Sequence, residues 1–325
     1  MSVKKVIACI KSHKNFLITS HTNLEGDALG SELAFYRLLK KLGKRAMIVN
    51  QDGLPYGYDF LPSKVILKRF KEMAASRNMR FDCFVVLDCS DLGRTGEVAN
   101  LYAKHQTILN IDHHVSNRSF GDVNWVEPHY SSCCEMIYQL YKELRVAFDR
   151  KTALFLYMGF LTDTGSFRYS NTTARVHEAV AELLQFHLDV SQIYSSVYKN
   201  MTFQDIKLLA NILSRIKVGA KGRLAWVQMK KSLLQRKDEA FDLSEEILSL
   251  MRAIKNVEVC VLFKENLKRK DEIKVNLRSQ GKTDVNKIAA YFGGGGHKTA
   301  SGATLHGSLN GVTRKFLSRI KKSLK

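Results

Sequence analysis

Acidic and imidazole side chains recur where short apolar runs stop. FLITS (16–20) is followed by His21, Glu25 and Asp27 in the pattern H-x-x-x-E-x-D, and CFVVLD (83–88) ends on Asp88. TILNID (107–112) ends on Asp112 and runs into His113 and His114, and a later segment closes as LTDTGS, carrying Asp163. Taken singly, a strand-end Asp more often caps the helix or turn that follows. Jointly they differ, because carboxylates gathered beside Asp-His-His repel one another unless cations occupy the cluster. Imidazole nitrogen with carboxylate oxygen, and no thiolate, suits Mn²⁺, Fe²⁺, Co²⁺ or Zn²⁺ better than a structural zinc site. The number of ligands points to two ions.

The runs that position these residues alternate with amphipathic segments. FLITS, AMIVN (46–50), CFVVLD and TILNID read as strands. Leu29, Leu33, Ala34, Leu38 and Leu42 recur at helical spacing and predict a helix over 27–43. Further helices are expected at 132–145, 150–161 and 173–186. Strands alternating with helices predict an α/β fold with a doubly wound, mainly parallel sheet, and ligands of such a sheet gather beyond its strands' carboxyl ends. Residues 1–190 form this catalytic domain in the expected organisation. A helical connector spans 191–216, and a smaller α/β domain with a mixed sheet fills 217–325. In that last part LAWVQM (224–229), VEVCVLF (257–263) and EIKVNLRS (272–279) read as strands, with helices over 243–254, 284–291 and 312–323.

Composition agrees with two globular domains: 325 residues, 45% hydrophobic and 25% charged. The apolar stretch near the start, VIACI, is shorter than a signal-peptide core, and no run approaches the ~20 residues of a membrane span. A cytoplasmic protein with no membrane partner is the expectation. Six cysteines without a C-x-x-C pair predict reduced, packed thiols. The net charge of +20 favours polyanionic partners, although it also serves solubility.

Five segments carry a resemblance. HTNLEGDALGS (21–31), VVLDCSD (85–91), IDHHVSN (111–117), LTDTGSFRYSNTT (161–173) and NLRSQGKTDVNKIAAYFGGGGHKTASGA (276–303) occur in the order found in DHH phosphoesterases. The chain resembles the stand-alone nanoRNase/pAp phosphatase branch of that family over nearly its whole length. The resemblance implies that His21 and Glu25 bind one metal and Asp27 the other. Asp88 would bridge both, with His113 and Asp163 completing the shell of the second metal. Asp112 would orient the neighbouring histidine, and His114 would contact the scissile phosphate. The catalytic set is then Asp88, His114 and Asp112. One departure stands out: the family reads Pro-Asp where this chain has Leu24-Glu25. The extra methylene keeps a carboxylate, and activity is expected to survive.

A pair of ions, manganese by expectation, would supply a nucleophile at neutral pH and offset phosphate charge. Cys89, beside Asp88, reads as a packed thiol rather than a nucleophile. The run Gly293–Gly296 followed by His297 can form an anion-binding nest or merely a loop. The resemblance implies that the second domain holds the far end of the substrate, through Arg278, Ser279, Gly294, Gly295, Gly296 and His297. The substrate is expected to be short single-stranded RNA of about two to five nucleotides, positioned end to end, or 3′-phosphoadenosine 5′-phosphate (pAp). Alternatives are cleavage of cyclic or linear dinucleotide messengers and, in another class, a nucleotide or RNA sensor with a degraded metal site. A homodimer is compatible with the sequence.

Overall fold

The computed structural model describes residues 3–62, 66–73, 80–199, 201–234, 243–267 and 269–324. They divide into two compact units, Met1–Lys199 and Asn200–Lys325.

The first unit runs α1 (Val3–Ser12), β1 (Asn15–Thr19), α2 (Gly26–Lys41), β2 (Arg45–Asn50), β3 (Leu67–Arg69), α3 (Phe70–Met73) and β4 (Cys83–Leu87). A 3-10 segment (Leu92–Leu101) leads to β5 (Thr107–Asp112) and β6 (Val123–Val126). Then come α4 (Cys133–Glu143), α5 (Arg150–Asp163), α6 (Ala174–Leu184) and α7 (Val190–Tyr198). Its six strands are all parallel, in the order β3-β2-β1-β4-β5-β6. β4 is buried at every position and β1 at four of five, as parallel strands covered on both faces must be. One face packs against α2, α4 and α5 through Ile18, Val85, Leu87, Leu109 and Ile111. The other buries Leu17, Val49, Phe84 and Val86 in a smaller cluster.

Glycines set how closely the covering helices approach. A Cβ at Gly26 would overlap the Thr162 side chain, one at Gly30 the Phe155 carbonyl, and one at Gly159 Cys134 Sγ. α2 therefore meets the backbone of α5 at Gly30, and α4 closes on α5 through the Cys134 side chain at Gly159.

The second unit runs α8 (Phe203–Leu213), β7 (Lys217–Gly219), β8 (Leu224–Met229), α9 (Lys231–Leu234), α10 (Ser244–Arg252), β9 (Val259–Glu265) and β10 (Glu272–Ser279). It closes with α11 (Val285–Tyr291), β11 (Gly295–Gly296), β12 (Ala300–His306) and α12 (Leu309–Ser323). The sheet is mixed, in the order β11-β12-β10-β9-β8-β7, with only β8–β9 parallel. α11 and α12 cover one face over Val261, Phe263, Val275 and Leu277; α8 and α10 cover the other over Ala225, Val227, Cys260 and Leu262.

The expected α/β class with a parallel first sheet and a mixed second one is what the chain adopts. The segment expected as a connector divides: α7 ends the first unit and α8, closed by a Thr202–Asp205 capping box, opens the second. α12 starts three residues earlier than its apolar pattern suggests, because Ser308 caps it and Leu309 is buried.

Candidate active site

β1 and β4 are adjacent where the strand order reverses, the place at which ligands of open α/β sheets bind. Thr19 pairs with Val86 and Leu87 with Ile111, so His21, Asp88 and Asp112 leave neighbouring strands at one level. Asp88 adopts a left-handed backbone, φ 51°, held by its amide donating to Ile111 O at 3.0 Å. That conformation costs free energy for a non-glycine residue and clusters at functional sites. Here it brings one carboxylate among three imidazoles. Asp88 Oδ2 lies 3.5 Å from His21 Nε2; Oδ1 lies 3.5 Å from His113 Nε2 and 3.6 Å from His114 Nδ1. Asp88 Oδ1 is buried without a hydrogen-bond donor.

Two more carboxylates join at His113, whose Nε2 is 3.8 Å from Asp27 Oδ2 and 3.5 Å from Asp163 Oδ2. Asp27 is fixed by the start of α4, each oxygen accepting one amide, from Cys133 at 2.7 Å and Cys134 at 2.8 Å. A helix N-terminus is the natural seat for such an anion. Asp163 ends α5 and is about one-third exposed (32%).

The imidazoles are oriented from behind. His21 Nδ1 is 2.7 Å from Thr22 O, and His113 Nδ1 is 3.3 Å from Tyr130 O. Carbonyls only accept, so each Nδ1 carries a proton and each Nε2 faces carboxylate oxygens, as a lone pair whenever the ring is neutral. Lone pairs facing anions repel, and a cation between them removes the conflict. Ligands sharing one ion at bonds of about 2.0–2.2 Å stand roughly 3–3.5 Å apart, close to the separations found here.

Protons alone balance this cluster poorly. Burial, aided by the Asp88 charge, raises the Asp27 carboxyl to about 6. Burial also opposes charge on Asp88, yet the facing His113 and His21 imidazoles hold its carboxyl well below the usual range. His21 is pushed down by burial but raised further by Asp88, to about 9. A divalent cation replaces these protons with one compact charge, and the donor set fits it.

The motif order and this geometry agree with family matches. The model of the DHH family N-terminal domain matches residues 15–160, and that of the DHHA1 domain matches residues 233–325. The chain carries a DHH domain followed by a DHHA1 domain. It is a metal-dependent phosphoesterase. This DHH protein is 29% identical over 309 residues to the bifunctional oligoribonuclease and PAP phosphatase NrnA of Thermus thermophilus, covering 94% of this chain and 89% of that one. It is 27% identical to the protein of the same name from Bacillus subtilis, covering 93% of each. A crystal structure of an exopolyphosphatase-related protein from Bacteroides fragilis superposes with a TM-score of 0.87 at 27% identity, covering 99% of this chain and 97% of that one.

Within the DHH domain the histidine held by Asp112 is His114, with Nδ1 2.7 Å from Asp112 Oδ1. Asp112 is fully buried and also accepts from Asn117 Nδ2 at 2.6 Å; Asn117 in turn reaches Asn110 Oδ1 at 2.8 Å. Burial opposes the Asp112 charge, but the His114 charge and hydrogen bond keep its carboxyl low. Asn117 lies inside IDHHVSN, so its motif was visible although its role was not. Glu25 N-caps α2 through its backbone and is exposed, yet its charge acts on His21 and Asp163. Cys89 is buried, its thiol pushed up to about 12 by burial, which suits packing and not attack.

Sequence reasoning missed Glu32. It is fully buried on α2, with Oε2 accepting from Asn50 Nδ2 at 2.8 Å and Oε1 unpartnered. Asn50 Oδ1 accepts from Ser20 N at 3.2 Å and Thr19 Oγ1 at 3.3 Å, directly ahead of His21. The signal was its place three or four residues from Ala28, Leu29 and Phe35, on the apolar face.

In the DHHA1 domain Arg278 pairs with Glu245 of α10 and donates to Leu277 O at 2.9 Å. Ser279 is buried, its Oγ 3.4 Å from Lys298 O. The glycine run has structural work of its own. Gly293 and Gly294 donate to Ala290 O and Ala289 O and end α11, while Gly295 and Gly296 pair with Gly302 and Ser301 of β12. The Gly293 and Gly294 amides are therefore engaged rather than free for an anion nest. His297 donates its amide to Ala300 O at 2.6 Å in the turn that follows. Among the described residues no helix is long and apolar enough to cross a membrane.

Proposed function

We propose that the protein hydrolyses short oligoribonucleotides and pAp to nucleoside monophosphates, using two divalent ions, manganese in the first instance. The observation that carries this reading is the Asp88 carboxylate, which meets three imidazoles at 3.5–3.6 Å while one buried oxygen lacks any donor. The substrate class is supported by the names of the Thermus and Bacillus relatives, which this chain matches almost end to end.

His21 and Glu25 would hold one ion, and Asp27, His113 and Asp163 the other, with Asp88 between them. When bound, such ions supply Lewis acidity, offsetting phosphate charge and letting water act as nucleophile at neutral pH. Asp112 holds His114 at Nδ1 and so keeps the ring in one orientation, from which Nε2 would hydrogen-bond the phosphate as its charge develops. Asn117 and Asn110 anchor Asp112 and so hold that geometry before substrate arrives. Arg278, Ser279, Gly294, Gly295, Gly296 and His297 are proposed to bind the part of the substrate away from the scissile phosphate. An incoming phosphate would compete with Glu245 for the Arg278 guanidinium.

The test is a panel of pAp, the dinucleotide pApA and a cyclic dinucleotide, each with the wild-type protein in Mn²⁺. Release of AMP from pAp and pApA is the expected result. Hydrolysis of the cyclic dinucleotide alone would replace this reading with the messenger phosphodiesterase. No hydrolysis of any of them would favour the sensor.

A further inference from the structure

The second unit carries a basic, aromatic-floored groove that no part of the proposed catalytic or substrate set explains. It encloses about 630 Å³ and is lined by Tyr291 and Phe292 from the end of α11 and by Arg314, Lys315, Arg319 and Lys322 from α12. Those four cations recur along one face of α12, while Val312, Phe316 and Ile320 are buried on the other. No Asp or Glu occurs between residues 309 and 325. None of the four cations forms an ion pair with a described carboxylate.

Two details show a prepared surface rather than a solvated charge run. Tyr291 is 66% exposed, unusual for so large an aromatic ring, and it stands on Phe292, whose ring stacks on Phe316 at 4.0 Å. The Arg319 guanidinium lies 4.5 Å from the Tyr291 ring centre, and its Nε is buried without a hydrogen-bond acceptor. A buried donor left unpaired is costly unless something completes it. An anion seated beside Tyr291 would do so.

We propose that this groove binds single-stranded RNA, with phosphates on the α12 cations and a base stacked on Tyr291. Cations on successive helix turns, about 5.4 Å apart, can follow a chain of phosphates, and an exposed aromatic face is the usual platform for an unpaired base. A membrane surface fits less well, because the apolar residues of α12 are already spent on the core. The groove is not the Arg278 surface. Leu277 packs under α11 and α12, whereas Arg278 reaches α10 on the opposite face of the sheet. The inference rests on the reading of the enzyme as acting on RNA and adds a separate anchoring surface for strands longer than its short substrates.

The test is fluorescence anisotropy of labelled dodecaadenylate, in EDTA to prevent cleavage, at two salt concentrations. Arg314→Glu combined with Arg319→Glu should weaken binding roughly tenfold and flatten the salt dependence by about 1.4 in the log–log slope, as expected for two lost phosphate contacts. Tyr291→Ala should weaken binding by several-fold without altering the slope. Both variants should hydrolyse pApA in Mn²⁺ as the wild type does. Unchanged dodecamer affinity in both variants would overturn the proposal. So would equal loss of pApA hydrolysis, or a loss of binding to phosphatidylserine vesicles instead of RNA. Should the wild type hydrolyse no RNA while the binding losses appear as expected, the groove stands and the catalytic reading falls.

Discussion

At Glu32 the fold buries a carboxyl that meets one hydrogen-bond donor, Asn50, and forms no ion pair among the described residues. Burial raises it from 4.5 to about 8, partly offset by Asn50. Neutral in the fold and ionised in the unfolded chain between those values, it binds the extra proton in the native state. Its stabilising share is therefore complete below about pH 4.5 and is lost as pH rises through about 8. Glu32→Gln keeps an oxygen for Asn50 and removes the titration. In metal-stripped protein the variant should gain on the wild type from pH 5 to pH 9, by an amount on the order of 2–5 kcal/mol. Urea midpoints at the two pH values measure this, and a difference independent of pH would refute it. Glu32→Ala should be less stable than wild type at pH 5 by about 1–3 kcal/mol, because Asn50 Nδ2 is then buried unpaired. Residue types where apolar runs stop made His21, Asp27, Asp88, His113 and Asp163 legible in the sequence, and the structure brings them together. The amides of Cys133 and Cys134 that fix Asp27 were not legible, since every residue has an amide and only the fold says which one is used.

At the scale of elements, the site depends on how closely α2, α4 and α5 approach. Gly159 sits where a Cβ would meet Cys134 Sγ and stand 2.8 Å from Asp27 Oδ1. Gly159→Ala should therefore push α5 away from α4 and disturb the carboxylate as well as the core. Overpacking of this kind costs about 1–3 kcal/mol. The expected outcome is a lowered urea midpoint together with reduced metal binding by calorimetry; wild-type values of both would show the contact to be slack. Long periodic elements were readable: β5, β8 and β10 occupy the expected residues, and the main helices differ by only a few residues at their ends. α1 is hard to read because its short apolar stretch, VIACI, sits in a basic start that also fits a leader. β3 and β6 are short edge strands with too few residues for alternation to show. β12, ASGATLH, has two glycine-or-serine positions where strand formers would be expected, and pairing with β10 overrides that local weakness.

For the whole molecule, the chain builds two units with separate sheets and cores. The metal-ligand candidates all lie on the first, and the α12 cations lie on the second. The excess positive charge of +20 can draw anions to either unit, so affinity for RNA alone does not identify the chemistry. Catalysis at a metal centre built on Asp88 does. The most direct measurement is the initial rate of pApA hydrolysis by wild-type and Asp88→Asn proteins, each stripped with EDTA and then titrated with Mn²⁺. The wild type should be inactive after stripping and recover with Mn²⁺, while Asp88→Asn, folded by circular dichroism, should stay lower by roughly a thousandfold or more, about 4 kcal/mol of transition-state stabilisation. Wild-type turnover that persists in EDTA, or an Asp88→Asn rate near that of the wild type, would contradict the account.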